Sequence, residues 1–210
     1  MPDIYIATTN AGKLREFREA AQSLAIGLEA LPGLQTLPPA VEDGATFEEN
    51  ARIKAEYYSR FFPGAMVLAE DSGLAVDRLG GAPGVHSARY AAILGNASSH
   101  TVVHQNSQDE DNNRALLSQL ERLPPGKFAA KYVCTIALGR DGATLETLLG
   151  EAHGELLVNP RGSGGFGYDP YFYFPALGKT FAELTLEQKR QHSHRGRAIK
   201  LFLDWYSRNG

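Results

Sequence analysis

Cysteine is nearly absent from this sequence, which has a single one, Cys134, among 210 residues. A lone cysteine cannot form an intramolecular disulfide, and it excludes a metal site built from several cysteines. Residues 132–136, which surround it, are mostly apolar or β-branched, and they predict a buried strand with a free thiol. Because disulfides are rare in reducing compartments, we expect a cytoplasmic location.

Long apolar runs and an excess of basic residues are also missing. No stretch approaches the ~20 apolar residues of a membrane-spanning helix, and the first residues lead into a predicted strand instead of a signal peptide. The net charge is −3, whereas a broad nucleic-acid surface would be basic. We therefore expect neither a membrane nor a nucleic acid as partner. A small anion bound by a local cluster of Lys and Arg remains compatible with these features.

The rest of the composition, 43% apolar and 21% charged, is typical of a globular protein. The length suits one domain, or one domain with a lobe, and we treat residues 1–210 as a single domain.

A central acidic stretch is the strongest local signal for chemistry. The apolar run Met66–Ala69 predicts a buried strand, and Glu70, Asp71, Ser72 and Gly73 follow it. We expect the strand to stop at the acids and turn, because open α/β sheets present functional groups at the carboxyl ends of strands. Two carboxylates beside a glycine turn suit Mg²⁺, and one can take a proton from water. The alternative is that both acids cap a helix or solvate a turn.

A second signal lies at the N-terminal end of the chain. Residues 4–7 predict a short strand, Thr8–Asn10 a polar turn, and residues 11–24 a helix. This order directs free backbone N–H groups and the positive helix end towards an anion, and Lys13 adds a charge there. The segment is not a Walker A loop, because the first glycine and the Ser or Thr after the lysine are missing. The alternative is an ordinary Asn-capped helix with a solvated lysine.

The next segments predict a loop and a helix. Residues 31–43 are Pro-rich and irregular. The capping box Thr46–Glu49 then begins a helix that extends to about Phe61. Asn50 and Lys54 are four residues apart and share one face of this helix.

The second half of the chain predicts a helix followed by two strands. Leucines between 116 and 123 indicate an amphipathic helix, and residues 128–138 and 144–157 indicate long antiparallel strands. His100 and His104 are also four residues apart, but no third ligand accompanies them, so a zinc site is disfavoured.

A glycine-rich loop follows the second of these strands. Gly162–Gly167 fits the pattern G-x-G-x-x-G, but Tyr168-Asp169-Pro170 follows where a dinucleotide-binding motif would begin a helix. The loop carries two aromatic residues, Phe166 and Tyr168, and an aromatic ring where backbone can approach closely suits stacking on a flat base. The alternative is an aromatic plug over the core.

The last helix begins with an unusual pair of basic residues. Ser193 is its predicted cap, and His194 and Arg195 lie in its first turn. Basic residues oppose the helix dipole at this end. Such a placement is unfavourable unless an anion or an acceptor is bound there.

Together these segments resemble the non-canonical purine nucleoside triphosphate pyrophosphatases. The matching segments occur in the family's order and span nearly the whole chain. They are Ala7–Lys13, Thr46–Ala51, Asp71–Leu74 with Gly80–Val85, Gly164–Pro170, Thr180–Leu184 and Ser193–Arg195. The resemblance implies an elongated two-lobed α/β fold, with a mixed central sheet flanked by helices and a nucleotide cleft between the lobes. It also implies a homodimer, dependence on Mg²⁺, and hydrolysis of ITP, dITP and XTP to the monophosphate and pyrophosphate.

The resemblance also implies roles for individual residues. Asp71 is the proton acceptor and a metal-binding acid. Some members have a second metal acid three residues before the glycine that matches Gly44; here Val41 stands at that position, and Glu42 is the nearest acid for the role. Glu70 stands where many relatives have Asp. The implied substrate-binding residues are Thr8, Thr9, Asn10, Ala11, Gly12, Lys13, Ser72, Phe166, Gly167, Tyr168, Asp169, Lys189, His194 and Arg195. Lys54 is a further candidate on chemical grounds, because the negative charge of the phosphates must be neutralised.

Base selection follows from the purine edge. Hypoxanthine and xanthine present an oxygen acceptor at C6, where adenine presents an amino group, so donors such as His194 and Arg195 would favour the oxo bases. An unmatched buried polar group costs roughly 1–3 kcal/mol. Two other functions remain open: a pyrophosphatase for modified pyrimidine nucleotides, and a non-enzymatic nucleotide-binding module.

Overall fold

The strands form one mixed sheet. A computed structural model describes residues 4–22, 26–95 and 105–209. Within these ranges the strand order in the sheet is β2-β1-β3-β4-β5-β6-β7. The strands are β1 (Ile4–Ile6), β2 (Leu28–Ala30), β3 (Met66–Val76), β4 (Phe128–Arg140), β5 (Ala143–Leu156), β6 (Phe172–Phe174) and β7 (Lys179–Thr180).

Helices and strands alternate from β1 to β3; two helices then precede strands β4 to β7, and two more helices end the chain. They are α1 (Ala11–Gln22), α2 (Phe47–Ser59), α3 (Tyr90–Ile93), α4 (Gln105–Leu120), α5 (Leu186–His192) and α6 (His194–Asn209). The predicted capping box of α2 is present, since Thr46 Oγ1 accepts from the Glu49 backbone and the Glu49 carboxylate accepts from the Thr46 backbone. The pair His100 and His104 lies outside the described residues. No helix in the described ranges is long and apolar enough to cross a membrane.

The strand directions confirm the predicted mixed sheet. Strand β1 pairs in parallel with both β2 and β3, whereas β6 pairs antiparallel with β5 and β7. The neighbours β4 and β5 are joined by Asp141 and Gly142, both with positive φ, which is the geometry of a two-residue β-hairpin. The short strand β2 is absent from the sequence-based prediction, because three residues are too few to show a period.

The chain divides into two compact units. Unit 1 contains the described residues of 1–72, 134–151 and 193–210, and unit 2 contains those of 73–133 and 152–192. In unit 1, Phe17 of α1 and Phe202 of α6 pack with Leu68 and Ile136 in one buried cluster. Residues of α2, among them Ala55, pack with β-strand residues in another cluster. Apolar side chains from helices thus cover the strands of this unit in two separate clusters.

Unit 2 has its own aromatic core. The Phe181 ring stacks on Tyr132 with centroids 5.5 Å apart and meets Phe172 edge-on at 4.7 Å. Leu116 and Leu120 of α4 are buried in the same cluster, which confirms the leucine-rich amphipathic helix.

The path of β3 corrects the prediction for the acidic stretch. The strand does not stop at Glu70 and Asp71 but continues through both acids and through Gly73 to Val76. Gly73 permits this path, because a Cβ there would overlap the Ser87 side chain and lie 2.8 Å from the Gly84 carbonyl. Leu74 N then donates to Ser87 Oγ at 2.9 Å. The prediction ended the strand where its apolar residues end, and it therefore missed this continuation.

Candidate active site

The polar turn after β1 lies beside the acidic part of β3. In the parallel pair, Ile6 is opposite Leu68, so Glu70 and Asp71 extend past the point where β1 ends. The turn is internally bonded: Asn10 N donates to Thr8 Oγ1 at 3.2 Å, and Lys13 N donates to Asn10 Oδ1 at 3.0 Å. The Asn cap of the alternative interpretation is therefore present, but its solvated lysine is not, because Lys13 pairs with Glu70. Thr9 and Ala11 are exposed, and Gly12 is half-buried.

Glu70 and Asp71 do not act as a pair. Successive side chains of a strand point to opposite faces, and the two carboxylates accordingly have different partners. Glu70 contacts groups from α1, β4 and α6, whereas Asp71 contacts groups from α2. The expected turn after the acids is wrong, because β3 is continuous through both of them; the expectation that carboxylates of this stretch suit Mg²⁺ stays a prediction.

Glu70 is the centre of a buried ionic cluster. Its carboxylate is 4% exposed and forms an ion pair with Lys13 Nζ. It accepts from Arg195 Nε at 3.4 Å and from Cys134 Sγ at 3.0 Å. Burial opposes ionisation, but the charges of Arg195 and Lys13 outweigh it and hold the pKa of Glu70 well below its usual range. Burial and the adjacent carboxylate raise the pKa of the Cys134 thiol.

Arg195 has protein partners on several sides. Besides Glu70, it donates through Nη1 to Glu16 Oε2 at 3.0 Å and through Nη2 to Ser72 Oγ at 3.1 Å. The side chain is buried, and the pKa stays raised because the carboxylates outweigh desolvation. A basic residue in the first turn of a helix opposes the helix dipole and needs an acceptor. The carboxylates of Glu70 and Glu16 are the acceptors for Arg195. A role for Arg195 in reading the base therefore rests on the family resemblance alone.

The start of α6 is built as predicted. Ser193 Oγ accepts from Gly196 N at 3.0 Å, and His194 is buried in the first turn.

Asp71 is held by two donors from one face of α2. Lys54 Nζ donates to Oδ1 at 3.1 Å, and Asn50 Nδ2 lies 3.4 Å from Oδ2. Asn50 Oδ1 also accepts from Gly44 N at 2.9 Å, and Lys54 donates to Glu42 Oε2 at 2.7 Å. Burial raises the pKa of Asp71, an effect that Lys54 opposes. Burial would lower the pKa of Lys54, but Asp71 and Glu42 outweigh it and raise it.

The Asp71 cluster already holds a cation between two carboxylates. Its two acids and one ammonium leave a net charge of −1, whereas Lys13, Arg195, Glu70 and Glu16 are balanced. The described residues contain no group of three or more His, Cys, Asp or Glu side chains suited to a metal. Mg²⁺, however, is often bound by one or two carboxylates together with substrate phosphates, so Asp71 and Glu42 fit it.

The glycine-rich loop belongs to unit 2, where it presents Phe166. This side chain is 36% exposed. Asp169 is buried beneath it, accepts from Phe166 N at 3.2 Å and pairs with Lys189 Nζ at 2.5 Å. The Lys189 ammonium lies 6.0 Å from the centroid of the Phe166 ring. The predicted residues Phe166, Asp169 and Lys189 thus come together in one group.

Tyr168 has a different environment from Phe166. It is 4% exposed and belongs to the core of unit 2, and its hydroxyl donates to the Ser87 carbonyl at 2.8 Å. Of the two loop aromatics proposed for stacking, Phe166 is therefore the one that a base can reach.

Sequence reasoning missed three contributors to these groups. Asn50 was noted for its helix face but not as a donor to Asp71, and Glu16 and Cys134 were not connected to Glu70. The i, i+4 spacing of Asn50 and Lys54 was the available signal for the first. Glu70 is 64 residues from Cys134 and 125 residues from Arg195 in the sequence. Contacts between residues so far apart have no local signal.

Comparison with known proteins agrees with this architecture. Residues 4–205 match the sequence model of the Ham1 family. A dITP/XTP pyrophosphatase from Acidobacterium capsulatum is 47% identical over 95% of this chain and 96% of its own length. One from Geobacter sulfurreducens is 46% identical over 97% and 96%. A HAM1 protein from Coxiella burnetii has a solved structure with a TM-score of 0.83 and 35% identity, over 99% of this chain and all of its own.

Proposed function

The chain belongs to the Ham1 family, and from that premise we propose that it hydrolyses non-canonical purine nucleoside triphosphates. ITP, dITP and XTP are the proposed substrates, and the products are the nucleoside monophosphate and pyrophosphate. The observation that carries the proposal is the half-buried Asp71, held by Asn50 and Lys54 beside the turn at the start of α1. The names of the similar bacterial pyrophosphatases support the same substrate class.

The proposed chemistry uses one carboxylate and several cations. Water attacks the α-phosphorus, a bond forms between them, and the bond from that phosphorus to the bridging oxygen breaks, which releases pyrophosphate. Asp71 accepts the proton from this water. Its pKa is raised by burial, which strengthens it as a base, while the charge of Lys54 opposes the rise and favours the ionised form. The N–H groups at the start of α1 and the ammonium of Lys13 bind the triphosphate oxygens.

Mg²⁺ is the proposed cofactor, with Asp71 and Glu42 as its protein ligands. Both carboxylates contact the Lys54 ammonium at 3.1 and 2.7 Å, so both reach one cation. When bound, Mg²⁺ neutralises phosphate charge and acts as a Lewis acid.

Base recognition is assigned to the remaining predicted residues. Phe166 stacks on the purine face, and Asp169 and Lys189 support the loop that carries it. His194 and Arg195 are proposed to donate to the 6-oxo group.

Pyrophosphate release tests this function. The protein is incubated with ITP, XTP, ATP and a modified pyrimidine triphosphate, each with Mg²⁺ and with EDTA. We expect release from ITP and XTP that requires Mg²⁺ and exceeds release from ATP. Preference for the pyrimidine, or binding without release, would replace the proposal by one of the alternatives.

Lys13 is expected to contribute more to phosphate binding than Lys54. Lys13 lies at the start of α1, where the helix dipole also attracts an anion, and its cluster is balanced in charge. Lys54 lies within α2 in a cluster of net charge −1. Lys13→Ala should therefore raise the KM for ITP more than Lys54→Ala, in steady-state kinetics at saturating Mg²⁺. A larger KM increase in Lys54→Ala would reverse the ranking.

Arg195→Ala is expected to narrow the preference for ITP over ATP. If the guanidinium donates to the 6-oxo group, its loss should lower kcat/KM for ITP by about tenfold more than for ATP, since an unmatched polar group costs roughly 1–3 kcal/mol. Both substrates are measured in one buffer at fixed Mg²⁺. An unchanged ratio would restrict Arg195 to its contacts with Glu70 and Glu16.

Two further features are proposed from the resemblance and the composition. The first is a homodimer, for which the exposed Leu145 and Leu149 on one face of β5 offer apolar surface; light scattering at micromolar concentration measures it. The second is a cytoplasmic location, which suits the buried free thiol of Cys134.

A further inference from the structure

Two side chains of α4 bind both polar groups of one loop peptide. Asp109 Oδ2 accepts from Gly167 N at 2.8 Å, and Asn113 Nδ2 donates to the Gly167 carbonyl at 3.0 Å. The two residues are four apart, so they lie on one helix face. Gly167 has a φ of +61°, a left-handed conformation that leaves both its N–H and its C=O dependent on partners outside regular structure.

The two neighbours of Gly167 in the chain are held by contacts of their own. On one side is Phe166, whose N–H donates to Asp169 and whose ring lies near the Lys189 ammonium. On the other side is Tyr168, anchored in the core through Ser87. The torsion angles at Gly167 therefore set the direction in which Phe166 leaves the anchored part of the loop.

The Asp109 contact is made against an electrostatic cost. Burial and the nearby Asp169 both raise the pKa of Asp109, and the Gly167 N–H only partly offsets them. A half-exposed backbone N–H can bond to water, so a second carboxylate near Asp169 is not needed for solvation. The position of the Asp109 carboxylate is explained if its contact with Gly167 serves to fix the geometry of the loop.

We propose that Asp109 and Asn113 are positioning residues for base specificity, which hold the Gly167 peptide so that the Phe166 ring is oriented for stacking on a flat purine. This inference rests on the proposed function, since it assigns Phe166 to the base of the substrate. Neither residue touches the substrate; both act through Phe166.

Isosteric substitutions with opposite expectations test the proposal. Asp109→Asn keeps an oxygen that accepts from Gly167 N and should leave the KM for ITP near that of the parent protein. Asn113→Asp replaces the donor to the Gly167 carbonyl by an acceptor and should raise KM about five- to tenfold, while kcat changes less than about twofold, because stacking is worth a few kcal/mol at most. Asp109→Ala should behave as Asn113→Asp does. Glu110→Ala, an exposed acid of the same helix turn, is the control.

A double-mutant cycle separates positioning from general support of the fold. If Asp109 acts through Phe166, adding Asp109→Ala to Phe166→Ala should raise KM no further, whereas independent effects would multiply. Thermal unfolding of each variant identifies loss of fold, and the isosteric pair decides the question where the alanine variants do not fold.

The outcomes distinguish this inference from the proposed function. An active parent protein whose KM for ITP is unaffected by Asn113→Asp, or multiplicative effects in the cycle, would overturn the positioning role and leave the function intact. A parent protein that releases no pyrophosphate from ITP or XTP would overturn both.

Discussion

Replacing Asp71 with asparagine is expected to lower kcat for ITP by about 10³- to 10⁴-fold, because a general base typically contributes 10²- to 10⁴-fold and the same carboxylate is proposed to bind the metal. The fold should persist. Asparagine is isosteric and still accepts from Lys54, which also keeps its contact with Glu42 at 2.7 Å. The measurement is single-turnover pyrophosphate release at saturating Mg²⁺, with thermal unfolding in parallel. Turnover within tenfold of the parent protein would refute the assignment.

Glu42→Gln is the matched control for this result. It removes a carboxylate from the same cluster, but from an exposed position and without a proposed role in proton transfer. We expect a higher Mg²⁺ concentration at half-maximal activity and nearly normal kcat at saturation. Equal losses of kcat in both variants at saturating Mg²⁺ would instead assign Asp71 to metal binding and leave the base unidentified.

The sequence predicted the fold where its signals were local. The capping box at Thr46, the Asn10 cap and the Ser193 cap are each made within a few residues, and each was confirmed. The mixed sheet was implied by the resemblance to the pyrophosphatase family, and the strand directions confirm it. The end of β3 was misplaced because polar residues inside a long strand resemble a strand end. The strand in fact continues to Val76, and Gly73 lies against Ser87, 14 residues away, a contact that has no local signal in the sequence.

The residues of the candidate site also carry local signals, but their contacts with one another do not. Lys13, Glu70 and Asp71 were recognised from their motifs, but their pairing was not. Adjacency in sequence groups Asp71 with Glu70; the alternation of side chains along a strand instead places Asp71 with Lys54 and Glu42. Such pairings depend on which helix covers which face of the sheet, and no local pattern encodes that.

Glu70→Gln is expected to lower the free energy of unfolding by about 3–5 kcal/mol, since removal of one partner from a buried ion pair leaves the other charges uncompensated. Here those charges are the ammonium of Lys13 and the guanidinium of Arg195. The Arg195 side chain is only 4% exposed. Glu70→Asp keeps the charge and should cost less. Glu19→Gln, exposed on α1, controls for loss of a surface acid. Urea unfolding in EDTA measures all three, and equal stability of Glu70→Gln and Glu70→Asp would refute a stabilising charge.

The same substitution predicts a dependence on pH with a definite sign. The pKa of Glu70 is lowered in the folded protein, since Arg195 and Lys13 outweigh burial. A carboxyl of this kind stabilises the fold fully above its unfolded pKa, about 4.3, and loses that contribution as the pH falls towards the folded value. The stability gap between the parent protein and Glu70→Gln should therefore be constant from pH 7 to about pH 5. Below about pH 4.3 it should shrink by roughly 1.4 kcal/mol per pH unit. The difference between the two proteins cancels the other carboxyls, which titrate in both. A gap that stays constant down to about pH 3.5 would show that the charge of Glu70 is not what stabilises this cluster.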